Sequence, residues 1–216
     1  MNKRDKAILD DLIRFRVMSR DDIAEIHFKE LKNPITSANL VLKRLTRDGY
    51  IKSDNTRRQY IYSHIDNTIK KDSSKIPHFL EIVRAYKEMC RIEKPSKFIV
   101  EPRYGKGLAQ PDSLVVWRKI IFFLEVQTSR ISKNDLNDKI NRYEELKSSS
   151  LCEDEFWYPS FPNVIFLTPH RFEFESSIVK FIQVDSVKEL NERISKMFQE
   201  RKITNTGIQI KIKKEK

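Results

Sequence analysis

Three residues in the second half of the chain combine side-chain types and a spacing that suit metal-dependent chemistry. Asp112 opens one strand-like run, and Glu125 and Gln127 stand two positions apart near the end of the next run. Side chains two apart in a strand share a face. If the two strands pair as a hairpin through residues 118–119, Asp112 and Glu125 arrive side by side at one end of the sheet, where two carboxylates can hold Mg²⁺ or Mn²⁺.

Such a carboxylate pair predicts hydrolysis assisted by a metal ion. The ion would activate a water molecule and neutralise the charge that develops on the phosphorane, while Gln127 would orient that water or the phosphate. Glu125 lies inside the apolar run IIFFLEV, and burying an ionised carboxylate is costly unless it is paired or bound to a metal. A buried salt bridge is the alternative explanation for its position.

The elements that must position these residues follow an α/β order. Apolar periodicity predicts a helix from His78 to about Ile92 and two more over about 134–148 and 187–199. Strand-like runs lie between these helices, at 97–101, 113–117, 120–127, 164–167 and 181–184. The order predicts an α+β protein whose second part is a mixed sheet flanked by helices.

The first 50 residues have a helical pattern instead. The first predicted helix ends near residue 16, and the second covers about 20–28. The third begins at a cap, Thr36 or Ser37, and ends at Gly49.

A two-stranded ribbon over 50–52 and 57–62 follows the three helices. Residues 4–65, notably the stretch LKRLTRDGYI, resemble the winged helix-turn-helix superfamily. The resemblance implies that the third helix and the ribbon contact DNA bases and phosphates. A winged helix that serves protein contact or dimerisation is the alternative. The predicted DNA-binding residues are Asn39, Lys43, Arg44, Arg47, Arg57 and Arg58.

The second part resembles the PD-(D/E)XK nuclease superfamily. The matching residues are Pro111 and Asp112, with Glu125 thirteen positions after the aspartate and Gln127 two positions later. The resemblance implies a restriction-endonuclease-like fold and a metal held by Asp112 and Glu125. Gln127 replaces the usual lysine, which leaves the acid pair intact but removes a positive charge.

Two narrower resemblances involve the same region. The EVQTSRIS stretch, followed by Lys139 and Tyr143, resembles the competence-protein CoiA group, whose nuclease-like motif also carries glutamine at that position. The layout over residues 5–147 is similar to the plasmid replication-relaxation family of mobile elements, in which a histidine comparable to His78 stands at a helix start.

The resemblances also imply supporting residues. Glu81 matches the position of an additional acidic metal ligand, although a carboxylate on an amphipathic helix is ordinarily solvated. Lys139 lies on the helix after the motif strand, where a relocated catalytic lysine could reach back, although charged helix faces are usually solvated. We therefore expect catalytic roles for Asp112, Glu125, Gln127 and Lys139 and metal binding by Asp112, Glu125 and Glu81.

Two further segments suit nucleic acid. Arg103 and Lys106, around a turn with two glycines, precede the carboxylates and could bind the scissile backbone, or they could form a plain solvent loop. The stretch EDEFWYPSFP fits a core lid, a protein interface or a stacking platform for an unpaired base.

Composition favours a polyanionic partner, nucleic acid before membrane. The chain has 42 Lys and Arg against 31 Asp and Glu, a formal net charge of +11, although a merely soluble basic surface has the same charge. Only four glycines are present, without a phosphate-loop or dinucleotide motif, so no nucleotide cofactor is expected. Two cysteines, no long apolar run and no signal-peptide pattern predict a cytoplasmic protein without a membrane partner.

These patterns predict a DNA-binding domain at 1–70, a nuclease-like domain at 77–203 and a basic strand or tail at 204–216. The expected function is binding and metal-dependent cleavage or nicking of double-stranded DNA in a plasmid or other mobile element. One alternative is a catalytically inactive regulator or accessory factor of replication, relaxation or transcription. Another is an interaction module that bridges proteins of a replication or relaxation complex, and a homodimer is compatible with each.

Overall fold

Two sheets, each packed against helices, make up the protein. The computed structural model describes residues 1–153, 155, 157 and 159–211. Within this part of the chain, six α-helices, a three-stranded sheet and a five-stranded mixed sheet confirm the predicted α+β class. The N-terminal elements are α1 (Lys3–Phe15), β1 (Met18–Ser19), α2 (Arg20–Phe28), α3 (Pro34–Arg47), β2 (Ile51–Asp54) and β3 (Ile61–His64).

Local chemistry sets the ends of the N-terminal helices. The Ser19 side chain accepts from the Asp22 amide and the Asp22 carboxylate accepts from the Ser19 amide, which confirms the predicted cap of α2. The predicted cap of α3 at Thr36 or Ser37 is wrong. That helix begins at Pro34, whose fixed φ angle suits a first helical turn.

The N-terminal sheet has the order β1-β3-β2 and is antiparallel throughout. The two residues of β1 were not predicted, because a pair of residues carries no periodicity. The predicted second ribbon strand, 57–62, begins later than expected: β3 starts at Ile61. Arg57 and Arg58 therefore lie in the connection between β2 and β3.

The remaining elements build the larger sheet. It has the order β4-β5-β6-β7-β8, with antiparallel pairing among the first three strands and parallel pairing among the last three. The elements are α4 (Lys75–Ile92), β4 (Lys97–Val100), β5 (Ser113–Trp117), β6 (Ile120–Val126), α5 (Lys133–Ser148), a 3₁₀ turn (Ser150–Cys152), β7 (Asn163–Leu167), β8 (Phe181–Val184) and α6 (Val187–Lys211).

Alternation along β6 divides the core between the two faces of this sheet. Phe122 and Leu124 belong to an apolar cluster that also includes residues of α4, α6 and the N-terminal helices. Phe123 points to the other face, into a cluster with α5 and Trp157. Side chains two apart share a face, so Glu125 lies on the α5 side.

The N-terminal elements pack directly on α4 and β4. The Phe15 ring lies 5.2 Å from the Tyr86 ring and 5.9 Å from the Phe98 ring, measured between centroids. The Lys87 ammonium lies 2.6 Å from the Asp22 carboxylate and 2.9 Å from that of Glu25. The apolar cluster is continuous across the predicted domain boundary.

Two predicted segments include residues that the structure does not describe. Residues 204–211, expected as a strand or tail, continue α6 as helix, and 212–216 lie outside the described residues. In the EDEFWYPSFP stretch, Trp157 is buried among aromatic rings and cannot stack on a base. Phe156 and Tyr158 lie outside the described residues. None of the helices described is both long and apolar enough to span a membrane.

The β5–β6 turn generates a prediction about stability. Arg118 and Lys119 both have positive φ, 49° and 63°, a conformation that costs a side-chain-bearing residue about 1–2 kcal/mol. Arg118 bonds to Asn191 and Ser195 of α6, whereas Lys119 is exposed. Lys119→Gly should therefore raise the free energy of unfolding by about 0.5–1 kcal/mol, measured by urea unfolding.

Lys119→Ala is the matched control, because alanine retains the Cβ that makes this conformation costly. An alanine variant as stable as the glycine variant would contradict the explanation.

Candidate functional site

The β5–β6 hairpin brings Asp112 and Glu125 together, as predicted. Ser113 pairs with Leu124 across the hairpin. Asp112, just before Ser113, and Glu125, just after Leu124, are therefore neighbours. The Val126 amide donates a 2.7 Å hydrogen bond to Asp112 Oδ2, which fixes the carboxylate beside the end of β6. Both carboxylates thus stand at the same end of the sheet.

Glu125 is a buried carboxylate with two partners on α5. It is 1% exposed. Lys139 Nζ donates to its Oε2 at 2.7 Å, and the Tyr143 hydroxyl donates to its Oε1 at 2.5 Å. Residues four apart lie on one helix face, which lets α5 deliver both donors to one carboxylate.

The electrostatics of this group are dominated by burial. Burial raises the pKa of Glu125 to about 7, and the charge of Asp112 adds to the rise, against the opposing effect of Lys139. Burial acts to lower the pKa of Lys139, but Glu125 and Asp112 together raise it, so the ammonium stays charged. Burial, reinforced by Glu125, raises the pKa of Tyr143 well above its usual range.

His78 completes the group from the first turns of α4. Its Nε2 lies 2.8 Å from Asp112 Oδ1, and this hydrogen bond raises the pKa of the imidazole. A histidine at this helix start could be noticed in the sequence, but its pairing with Asp112, 34 positions away, could not be predicted. Two acidic and two basic side chains therefore share the cluster.

Two predicted members do not join this cluster. The side-chain nitrogen of Gln127 donates to the Ser129 carbonyl at 2.8 Å, because β6 ends at Val126 and the chain turns away. The Glu81 carboxylate accepts from Arg84 at 3.4 Å and lines a separate cavity of about 280 Å³. Its expected role as a metal ligand stays a prediction.

A cavity of about 750 Å³ opens in front of Glu125. One wall is the loop 103–110, and the other is the face of α5 that carries Lys139 and Tyr143. The Ala109 amide donates to the Arg142 carbonyl at 3.2 Å and ties the end of the loop to α5. The cations that line the cavity are Arg103, Lys106, Lys139 and Arg142.

The carboxylate oxygens of Asp112 and Glu125 suit a hard cation but would occupy only some of its coordination positions. No group of three or more His, Cys, Asp and Glu side chains in the described part of the chain is arranged to hold a metal ion. Asp112 and Glu125 offer carboxylate oxygens, which Mg²⁺ and Mn²⁺ prefer, and Mg²⁺ usually keeps waters and binds phosphate through one or two carboxylates. The two residues therefore fit such an ion if water and phosphate supply the remaining ligands.

Three of the predicted DNA-binding residues line a second cavity, between α3 and the N-terminal sheet. This cavity has a volume of about 590 Å³. Asn39 and Lys43 reach it from the exposed face of α3, and Arg47 does so while bound to Asp48 at 2.8 Å. Arg20 lines the same cavity, although the sequence did not point to it.

The other three predicted residues have different surroundings. Arg44 donates at 2.7 Å to the buried carboxylate of Asp5 while part of its side chain stays exposed, and its role in DNA binding stays a prediction. Arg57 donates to the Lys71 carbonyl at 2.7 Å and is held against the chain. Arg58 is exposed in the β2–β3 connection.

Comparison of the chain with protein-family models, with curated proteins and with solved structures gave no match. The family resemblances rest on short motifs alone. Support for a function therefore comes from the geometry of the Glu125 cavity and of the cavity between α3 and the N-terminal sheet.

The buried carboxylate predicts how stability varies with pH. A carboxyl whose pKa is raised on folding binds more protons in the folded state, so stability falls as the pH rises from about 4.5 to 7. Between pH 5 and 8, the wild type should lose up to about 3 kcal/mol relative to Glu125→Gln. Urea unfolding in EDTA at several pH values measures this difference.

Glu145→Gln changes an exposed carboxylate of the same helix and should keep the wild-type pH dependence. Identical pH dependence of the wild type and Glu125→Gln would contradict the assignment.

Proposed function

We propose that the protein binds double-stranded DNA through its N-terminal elements and hydrolyses phosphodiester bonds at the Asp112–Glu125 site with Mg²⁺ or Mn²⁺. One observation carries the catalytic part of the proposal. A nearly inaccessible carboxylate, with a second carboxylate beside it, stands at the floor of a cavity whose side walls carry cations. A carboxylate with a perturbed pKa in a cleft is a candidate functional group.

The chain's own residues prepare this site for a phosphodiester. Tyr143 and Lys139 fix the orientation of the Glu125 carboxylate, and His78 with the Val126 amide fixes that of Asp112. A bound Mg²⁺ or Mn²⁺ would supply an activated water and charge neutralisation. The Lys139 ammonium lies at the same carboxylate and stabilises negative charge that develops on the phosphate.

The cations also explain how a polyanion can bind beside the carboxylates of Asp112 and Glu125. Two carboxylates alone would repel a phosphate. Lys139 and His78 offset their charge within the cluster, and Arg103, Lys106 and Arg142 line the approach. Substrate attraction and metal binding can therefore coexist in one cavity.

The N-terminal elements support a winged helix as the DNA-docking unit. Three helices precede an antiparallel β2–β3 hairpin. Lys43 and Arg47 of α3, with Arg20 of α2, line the cavity between helix and sheet. Cations on a helix face provide the phosphate contacts that set affinity and register on a duplex.

The wider setting follows from the motif resemblances. We place the protein in the cytoplasm, on the DNA of a plasmid or other mobile element, where it acts alone, as a homodimer or with proteins of a replication or relaxation complex. The PD-(D/E)XK-like and replication-relaxation-like motifs support this setting.

A second candidate is a DNA-binding regulator that has lost catalysis. The observation in its favour is that Gln127 stands in place of the usual lysine and bonds within its own loop. In this case the Asp112–Glu125 cluster is a satisfied ion-pair network that stabilises the fold.

Cleavage of supercoiled plasmid separates the two functions. In Mg²⁺ or Mn²⁺, the wild type should produce nicked or linear DNA, and EDTA should abolish it. Asp112→Asn and Glu125→Gln should each lower the rate at least about 100-fold, because each removes a carboxylate proposed to hold the metal ion that acts on the reacting phosphate. Glu145→Gln is the matched control and should cleave at the wild-type rate, while Glu81→Gln tests the predicted third ligand.

Intact plasmid in the presence of retained DNA binding would favour the regulator. Full activity of Asp112→Asn would refute the proposed site.

Duplex affinity tests the N-terminal surface. Lys43→Ala combined with Arg47→Ala should weaken binding and reduce the slope of log K against log salt by about 2, since each phosphate contact contributes about 0.9. Arg44→Ala should keep this slope but destabilise the fold, because Asp5 loses its partner. Fluorescence anisotropy at several salt concentrations measures the slope, and an equal effect of Arg44→Ala would contradict the assignment of Arg44.

A further inference from the structure

We infer that the substrate at the Asp112–Glu125 site is an unpaired DNA strand, whose nucleotides bind in the cavity between the loop 103–110 and α5. This inference rests on the proposed function and names the substrate class of that site. Phosphates contact the cations Arg103, Lys106 and Arg142, and a base contacts the apolar part of the wall.

The Glu125 carboxylate is reached through the cavity that it lines. Glu125 is nearly inaccessible at the floor of the cavity. A volume of about 750 Å³ falls in the range of about 300–1,000 Å³ typical of small-molecule pockets. An unpaired strand can bend into such a cavity with a base turned inward, as nucleotides that leave the stack enter the pockets of base-modifying enzymes.

The chemistry of the walls also favours an unpaired strand. Tyr104, Leu108 and Ala109 add apolar surface to the loop wall of the cavity. The Tyr104 ring makes edge contacts with Phe123 and Trp157, at centroid distances of 5.9 and 6.3 Å. In a duplex the base faces are covered by stacking, whereas an unpaired strand presents both base faces and phosphates. Aromatic and cationic residues together are the usual surface for such strands.

The backbone of the loop holds these groups around one space. Gly107 has φ +87°, a conformation that glycine adopts without strain. The Glu101 amide donates to the Asp112 carbonyl and the Ala109 amide to the Arg142 carbonyl, so both ends of the loop are tied to the site. Arg103 and Lys106 therefore share one cavity with Arg142 without depending on a flexible arm.

The two cavities then suit two parts of one substrate. The cavity of α3 and the N-terminal sheet is proposed to bind a duplex, and the cavity of Glu125 to bind a strand that leaves it. A fork, a flap or a locally melted segment has both parts.

Binding in EDTA tests the inference without catalysis. The probes are a fluorescent single-stranded dT oligonucleotide of about 12 nucleotides and a blunt duplex. Arg103→Ala combined with Arg142→Ala should weaken binding of the single strand at least about tenfold and reduce its salt slope by about 1–1.5, since each single-strand phosphate contributes about 0.7. Binding of the duplex should change less than about twofold.

The matched control removes two exposed cations that do not line this cavity, Lys133→Ala with Lys188→Ala, and should leave the binding of both probes unchanged. Retained duplex binding also shows that the double variant is folded. Lys106→Glu, a charge reversal at one exposed loop side chain, should weaken single-strand binding too and tests the inference if the double variant does not fold. Unchanged single-strand binding, or an equal loss on both probes, would overturn it.

Cleavage in Mn²⁺ distinguishes this inference from the proposed function. A forked substrate should be cut in its unpaired arm at least about tenfold faster than a blunt duplex. Equal cleavage of both would overturn the inference and leave the nuclease function intact. Selective loss of single-strand binding in the cavity variant, with no cleavage of any substrate by the wild type, would refute the nuclease and support the strand-binding cavity.

Discussion

The burial of one carboxylate, Glu125, is the constraint on which the rest of the larger sheet depends. A charge at 1% exposure inside an apolar strand requires compensation, and here it comes from Lys139 and Tyr143, one helical turn apart on α5. The helix must therefore pack with this face towards the end of β6, and the β5–β6 register must place Asp112 beside the same point. Burial raises the pKa of Glu125 to about 7 even with both partners in place.

Helix α4 links this site to the N-terminal elements. Near its start, His78 bonds to Asp112, and two turns further on Lys87 bonds to Asp22 and Glu25 of α2. Tyr86, on the same helix, packs against Phe15 of α1. A single helix thus contacts the catalytic candidates and the unit proposed to dock DNA. On the proposed function, a duplex bound to the N-terminal elements would be held in a constant relation to the Asp112–Glu125 site, because helices are stiff over this length, and cleavage would occur at a constant offset from the docking position.

The sequence was most informative where short-range patterns decide the structure. The runs 113–117 and 181–184 and the start of α2 were predicted at their observed limits, because apolar strands and a capping box are local. The proximity of Glu125 to Asp112 could also be predicted, because the two-residue turn 118–119 sets the register of β5 and β6. What could not be predicted depends on contacts distant in sequence. The ion pair of Arg44 with Asp5, 39 positions away, is one example. Equally, no local pattern shows that residues 103–110 close a cavity against α5.

The glutamine at 127 illustrates the difference between a position in sequence and a position in space. In the motif that this segment resembles, a lysine two residues after the glutamate supplies the positive charge. Here β6 ends at Val126, and the side chain of Gln127 turns towards Ser129, so a lysine at this position would have to leave that turn to reach the site. An ammonium nevertheless contacts Glu125, and it belongs to Lys139 of the following helix. On the proposed function, Lys139 of α5 supplies the positive charge near the phosphate, so the site has a cation although Gln127 is not a lysine. The glutamine is therefore weaker evidence for an inactive protein than the sequence motif alone implies.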